Sequence, residues 1–123
     1  MSYGIDHVQL AIPAGGEEAA RPFYARILGL RELVKPPALA VRGGAWYRGP
    51  GDEGIELHLG VEADFVPARK AHPGLLWADL DGLAARLEAG GFEVTWDNES
   101  IPGRRRFHTF DPFGNRLEFL APA

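Results

Sequence analysis

The second half of the chain repeats the first, and this internal repeat limits the possible folds more than any other feature. Ala25-Arg26-Ile27-Leu28 corresponds to Ala85-Arg86-Leu87-Glu88. The same offset along the chain, kept to the end of each half, places Gly54 on Gly114. Each half therefore folds into the same small unit, and the chain of 123 residues is expected to form one domain of two modules, about 1–62 and 68–123.

Polar residues that are hard to bury fall at equivalent points of the two halves. The offset that takes Gly54 to Gly114 also pairs His58 with Glu118, and a slightly larger offset at the front of each half pairs His7 with His72. The first connection is then five residues longer than its counterpart. Because all four side chains fall at equivalent positions, a shared functional role is better supported for the set than for any one of them.

Hydrophobic periodicity assigns the same element order to both halves: a strand, a helix and three strands. In the first half, a strand at Ile5–Ile12 precedes a helix with apolar residues from Ala20 to Leu28 that ends at Gly29, and short strands follow to Ile55–Leu59. In the second half the predicted elements are a strand at His72–Leu80, a helix capped by Asp81 that runs to Ala89 and ends at Gly90-Gly91, and strands at Phe92–Trp96, Arg105–Phe110 and Arg116–Leu120. The predicted class is α+β.

The composition excludes several kinds of partner and site. The chain has no cysteine, so a metal would need nitrogen and oxygen ligands. A net charge of −4 with interleaved signs does not favour nucleic-acid binding. No stretch approaches the ~20 apolar residues of a membrane span, and the first residues lack a secretion signal, so a cytoplasmic protein is expected.

His7, His58, His72 and Glu118 are candidate ligands of one divalent metal ion. In its strand, His7 shares a face with Gln9, and His72 shares one with Gly74, which leaves room for a ligand. Taken singly, such a histidine is more often a hydrogen-bonded or surface residue. Their equivalence in the repeat is what favours the metal site.

Glu56 competes with His58 for the fourth ligand position, because residues two apart in a strand share a face. The offset that pairs Gly54 with Gly114 favours His58, whereas an offset larger by two would select Glu56 and lose that glycine match. With His58 as ligand, the Glu56 carboxylate is the candidate general base.

Three segments resemble the vicinal-oxygen-chelate superfamily, which contains glyoxalases, bleomycin resistance proteins and extradiol dioxygenases. They are Ile5–Pro13, Phe23–Leu30 and Asp111–Phe119, and the Asp-Pro-Phe-Gly-Asn turn before Leu-Glu-Phe is the most specific. The resemblance implies paired βαβββ modules that form a cup of strands around a divalent metal. It places the ligands at the first and last strands of each module, on His7, His58 (or Glu56), His72 and Glu118.

The resemblance also implies the chemistry: Zn, Ni, Fe or Mn would bind two adjacent oxygens of a small substrate, in a lyase, isomerase or dioxygenase reaction. A typical glyoxalase carries Glu where His58 stands, and no potassium loop of the fosfomycin thiol transferases is present. The alternative is a metal-free drug-sequestering protein of the bleomycin-binding type. Since members of the superfamily commonly form homodimers, the resemblance also implies that this chain is a homodimer.

Four further residues are candidates for substrate binding. Alternation places Arg106 and His108 on one strand face, where the guanidinium could hold a carboxylate or phosphonate, although a solvated basic turn is the more common role of such a run. Gln9 shares a face with His7, and Trp46 is a candidate for an aromatic wall, with core packing as its ordinary alternative.

Overall fold

The computed structural model describes residues 2–50 and 54–123 and comprises two compact units, one up to Val66 and one from Pro67. The elements of the first unit are β1 (Val8–Ile12), α1 (Glu17–Arg21), a π-helical stretch (Pro22–Ile27), β2 (Arg31–Leu33), α2 (Pro37–Ala40), β3 (Ala45–Arg48) and β4 (Glu56–Val61). Its sheet has the order β1-β4-β3-β2, in which β1 runs parallel to β4 and the other neighbours are antiparallel.

The second unit has the same topology. Its elements are β5 (Gly74–Leu76), α3 (Leu80–Ala89), β6 (Thr95–Trp96), β7 (Arg104–Phe110) and β8 (Arg116–Pro122). Its sheet has the order β5-β8-β7-β6, again with the first strand parallel to the last. The predicted α+β fold of two βαβββ modules is confirmed, and the short helix α2 is an addition that the sequence pattern did not predict.

Strand pairing confirms the register of the repeat. In the first unit Gln9 lies opposite His58, and in the second Gly74 lies opposite Glu118. Gln9 and Gly74 are related by the offset that pairs the first strands, while His58 and Glu118 are related by the offset that pairs the last ones. His58, not Glu56, is therefore the structural counterpart of Glu118.

Several predicted boundaries differ from the structure, among them the end of β5, which is Leu76 and not Leu80, and the start of β6, which is Thr95 and not Phe92. Strands β1 and β5 begin later than expected, so that His7 and His72 lie just before them. The prediction of Asp81 as helix cap is wrong, because the Asp79 side chain accepts the hydrogen bond from the Gly82 backbone nitrogen. The Asp81 carboxylate instead accepts two hydrogen bonds from Arg105.

Each unit has an apolar core formed between its helix and one face of its sheet. The second unit shows the pattern most clearly, since Leu80, Leu83 and Leu87 of α3 recur at helical spacing and are buried. Phe107 and Phe119 of the adjacent strands β7 and β8 are also fully buried. Within the described residues, no helix has the length and apolar character needed to cross a membrane.

The turn before β8 is fixed by one buried side chain. Asp111 accepts hydrogen bonds from the backbone nitrogens of Phe113 and Asn115 and from the Asn115 amide nitrogen. Gly114 has φ +91°, a conformation that glycine adopts without strain. The predicted turn is confirmed, and it sets the start of the strand that carries Glu118.

We expect Tyr47→Phe to abolish a loss of stability at alkaline pH. Burial raises the pKa of Tyr47 to about 12, and its hydroxyl has no hydrogen-bond partner among the described residues. The Tyr47 hydroxyl ionises near pH 10 in the unfolded chain and at about pH 12 in the folded protein. The free energy of unfolding therefore falls as pH rises between these values, by roughly 3 kcal/mol. Urea unfolding at several pH values measures this slope.

At neutral pH, Tyr47→Phe should cost little stability, because it removes a buried hydroxyl that makes no hydrogen bond. Tyr3→Phe is the control, since the Tyr3 ring is 82% exposed. An alkaline slope that persists in the Tyr47 variant, or disappears in the Tyr3 variant, would contradict the assignment.

Candidate functional site

The first unit brings together two imidazoles and one carboxylate. One ligand atom each from His7, Glu56 and His58 lies within 4.8 Å of the others. His58 is only 6% exposed, and its Nε2 has no hydrogen-bond partner in the described part of the chain. The nearest carboxylate oxygen, from Glu56, is 3.6 Å away. A buried imidazole nitrogen without a partner is available to a metal ion.

Stacked rings hold the His58 imidazole in place. Trp46 lies opposite His58 in the β3–β4 pair, and their ring centroids are 4.2 Å apart at an interplanar angle of 8°. The His7 ring stacks on His58 at 3.9 Å and 16°. Burial, aided by His7, lowers the pKa of His58, which favours the neutral ring that binds metals.

The Asp6 carboxylate orients His7. Its Oδ1 lies 2.7 Å from His7 Nδ1. This hydrogen bond lowers the pKa of Asp6. A carboxylate on one ring nitrogen is the usual arrangement for a metal-binding histidine, because it directs the other nitrogen to the ion.

The second unit holds a second cluster of the same composition, formed by His72, His108 and Glu118. Nε2 of His72 lies 3.2 Å from one Glu118 oxygen, and Nε2 of His108 lies 3.9 Å from the other. The His108 Nε2 is buried and has no hydrogen-bond partner among the described residues. Burial, followed by the charge of Arg116, lowers the pKa of His108.

Arg106 links Glu118 to Asp97. Its Nη1 donates to Glu118 Oε2 at 2.6 Å and its Nη2 donates to Asp97 Oδ2 at 2.7 Å. Burial of Glu118 acts to raise its pKa, but the hydrogen bonds from Arg106 and His72 outweigh burial and lower it. The guanidinium therefore keeps Glu118 ionised and fixes its orientation.

The donor atoms fit a divalent metal. Two imidazoles and a carboxylate form each cluster, which is the donor set of Zn, Fe, Mn and Ni sites without thiolates. The chain has four histidines, and all four belong to these clusters. The repeat relates the two clusters in part: His7 corresponds to His72 and His58 to Glu118, whereas the counterpart of His108 is Trp46, which is not in the first cluster.

A cavity of about 620 Å³ in the first unit adjoins its cluster. The lining includes His7, Glu56 and His58 and also Gln9 and Trp46, two of the predicted substrate-binding residues. A Cβ at position 60 would lie 2.6 Å from Nε2 of Gln9, so the Gln9 amide can occupy its present position because residue 60 is glycine.

Sequence reasoning missed two cations that line this cavity, Lys35 and Arg42. It selected Arg106, whose terminal nitrogens are engaged by two carboxylates. No pattern marked Lys35 or Arg42, because both lie in the irregular connection between β2 and β3 around the unpredicted helix α2.

The predicted ligands are distributed over both units. His7 and His58 lie in the first cluster and His72 and Glu118 in the second. Glu56, predicted as base or alternative ligand, joins the first cluster. The binding of one ion by all four predicted ligands stays a prediction.

Comparison with known proteins gives one family match and many structural matches. Residues 4–119 match the model of the Glyoxalase/Bleomycin resistance protein/Dioxygenase superfamily, which confirms the resemblance seen in the sequence. No protein of curated function matches the chain. A protein described as glyoxalase family from Bacillus anthracis is 42% identical, with a TM-score of 0.90 over 100% of this chain and 98% of that one.

Two more distant structures illustrate the range of ligands. TnmS3, an antibiotic binding protein from Streptomyces sp. CB03234, is 27% identical with a TM-score of 0.69, covering 98% of this chain and 99% of that one. A mutant of the fosfomycin resistance protein FosX from Listeria monocytogenes, complexed with Mn(II) and 1S,2S-dihydroxypropylphosphonic acid, is 16% identical with a TM-score of 0.76, covering 100% and 95%. At that identity the FosX match shows the fold alone.

Proposed function

Because the chain belongs to the glyoxalase/bleomycin resistance protein/dioxygenase superfamily, we propose that it is a metal-dependent enzyme acting on a small molecule with two adjacent oxygens. The ion, when bound, would act as a Lewis acid on those oxygens. The proposed reaction is of the lyase, isomerase or ring-cleaving dioxygenase type. The proposed ligands are His7, His58, His72 and Glu118.

One observation carries this proposal: every histidine of the chain lies in a cluster that pairs two imidazoles with one carboxylate. A protein that only traps an apolar drug has no need of such clusters. The unpartnered Nε2 atoms of His58 and His108 support the same conclusion, since a buried polar atom without a partner costs free energy unless a ligand satisfies it.

Other residues of the chain have separate proposed roles in catalysis and substrate binding. The proposed general base is the Glu56 carboxylate, and its position 3.6 Å from His58 and in the cavity lining supports this role. Arg106 holds the Glu118 carboxylate in its orientation. Trp46 supplies a flat apolar wall, and the Gln9 amide offers a donor and an acceptor.

We expect protein purified without chelators to retain a divalent metal, and metal-free protein to take up about one Zn²⁺ or Mn²⁺ per chain. Affinity tighter than about 1 µM, or about 8 kcal/mol, is expected for a site with several protein ligands. Elemental analysis and titration calorimetry measure content and affinity. Binding weaker than that for every metal tested would exclude a resident ion.

A metal-free binding protein is the second candidate, favoured by the cavity of the first unit. Its volume of about 620 Å³ suits a small organic ligand. An antibiotic binding protein with 27% identity shares the fold. The metal titration separates the two candidates, because a binding protein of this kind would take up no tightly bound metal. Such a protein would also bind its ligand equally well after treatment with a chelator.

A further inference from the structure

The cavity of the first unit is lined by charged groups of both signs. Asp6 and Glu56 accompany the histidine cluster, whereas Lys35 and Arg42 line another part of the same wall. We propose that this cavity selects ligands that carry an anionic oxygen-acid group, such as a carboxylate, in addition to the adjacent oxygens. The inference rests on the proposed function, of which it specifies the substrate class.

Strand β4 gives the distance between the histidine cluster and the part of the cavity near Lys35. Glu56, His58 and Gly60 occupy every second position of the strand and share one face, and Val61 ends the strand. Gly43 lies beside Val61, because a Cβ on Gly43 would come within 3.0 Å of Val61 Cγ2. The rise along a strand places this end roughly 10 Å from His58.

Lys35 is fixed at the end marked by Gly43. Its Nζ donates a hydrogen bond to the Gly43 carbonyl oxygen at 2.5 Å. An ammonium group has three donors, so two remain for a ligand. The same Nζ lies 6.0 Å from the centroid of the Trp46 ring, which stacks on His58. Trp46 thus spans the space between the cation and the histidines.

No described carboxylate forms an ion pair with Lys35 or Arg42. The nearby Glu17 directs its Oε2 to the Gly44 backbone nitrogen at 3.2 Å. In contrast, Arg105 and Arg106 are both paired with carboxylates. The two cations of the cavity wall are therefore the ones able to hold an anionic ligand, and Arg42 can do so in a bidentate manner.

Two probes of equal ring structure test the inference on the zinc-loaded protein: 3-(3,4-dihydroxyphenyl)propionate, which has the carboxylate, and 4-ethylcatechol, which lacks it. We expect the acid to bind about tenfold more tightly, as for one charge-assisted contact. Lys35→Met and Arg42→Met should each reduce this preference without weakening 4-ethylcatechol. Arg26→Met, which removes one exposed positive charge from the same unit, is the control.

A third probe separates failure of this inference from failure of the proposed function. 3-Phenylpropionate has the carboxylate but lacks the two adjacent ring hydroxyls, so its binding to metal-free protein depends on Lys35 and Arg42 alone. Tryptophan fluorescence measures this binding. Loss of this binding in Lys35→Met and Arg42→Met, but not in Arg26→Met, supports the inference whatever the metal content. Equal affinity for the acid and 4-ethylcatechol, or variants that weaken both equally, would overturn it.

Discussion

His58→Phe is expected to weaken metal binding by at least about 100-fold while the fold is kept. Removal of a residue that only orients a metal ligand already lowers metal affinity roughly 10–100-fold. Removal of a ligand should therefore lower the affinity by at least as much. Phenylalanine retains the ring between Trp46 and His7 but has no nitrogen donor. Zinc titration calorimetry gives the affinity, and thermal unfolding of the metal-free protein checks the fold.

Two companion variants make this result specific. Trp46→Phe changes the other side of the same stack without removing a donor and should leave affinity nearly unchanged. Glu56→Gln should reduce affinity by at most about 100-fold if the carboxylate orients and does not bind. If His58→Phe binds zinc normally and Glu56→Gln does not, then Glu56 is the ligand and the site is closer to that of a glyoxalase.

Variants of the second cluster test whether one ion draws on both clusters. His72→Ala and Glu118→Ala should abolish the same single equivalent of metal that His58→Phe affects. Two equivalents per chain, each lost through variants of one cluster only, would contradict the prediction of a single ion.

Gly44→Ala is expected to destabilise the protein by roughly 3–5 kcal/mol, the range of severe single substitutions. Gly44 has φ +85°, and a Cβ there would lie 2.1 Å from the backbone oxygen of Leu59. The backbone of β4 would have to move, and that strand carries His58. Chemical denaturation of the metal-free protein measures the loss.

Gly91→Ala is the matched control for Gly44→Ala. Gly91 has nearly the same φ, +86°, but no described atom beyond its chain neighbours lies within 4 Å of the position that a Cβ would take there. Its cost should therefore be the backbone contribution alone, about 1–2 kcal/mol. Similar losses in the two variants would show that the close approach to Leu59 relaxes easily.

The repeat could be read from the sequence because its markers depend on local rules. Alternation of side chains fixes which residues share a strand face, and turn residues fix where strands start. Alternation left both Glu56 and His58 as candidates, and the match of Gly54 with Gly114 favoured His58 as the counterpart of Glu118. The strand pairing agrees, since His58 lies opposite Gln9 and Glu118 lies opposite Gly74.

Contacts between distant segments could not be predicted in the same way. Arg106 donates hydrogen bonds to both Glu118 and Asp97, and Asp97 lies in a segment without hydrophobic periodicity. Nothing local distinguishes a guanidinium held by two carboxylates from one open to a ligand. Lys35 was missed for a related reason. It lies in a connection without hydrophobic periodicity, so the sequence does not predict which way its side chain points.

The parallel pairing of each unit's first and last strands has a consequence for the order of folding. Val8 lies opposite Leu57, and Gly74 lies opposite Glu118, so each cluster joins the two ends of its unit. Such contacts of long sequence separation carry the largest chain-closure entropy and form late. The helices and hairpins can form from neighbouring residues first, and His7 and His72 join their clusters only when the first and last strands of each unit pair.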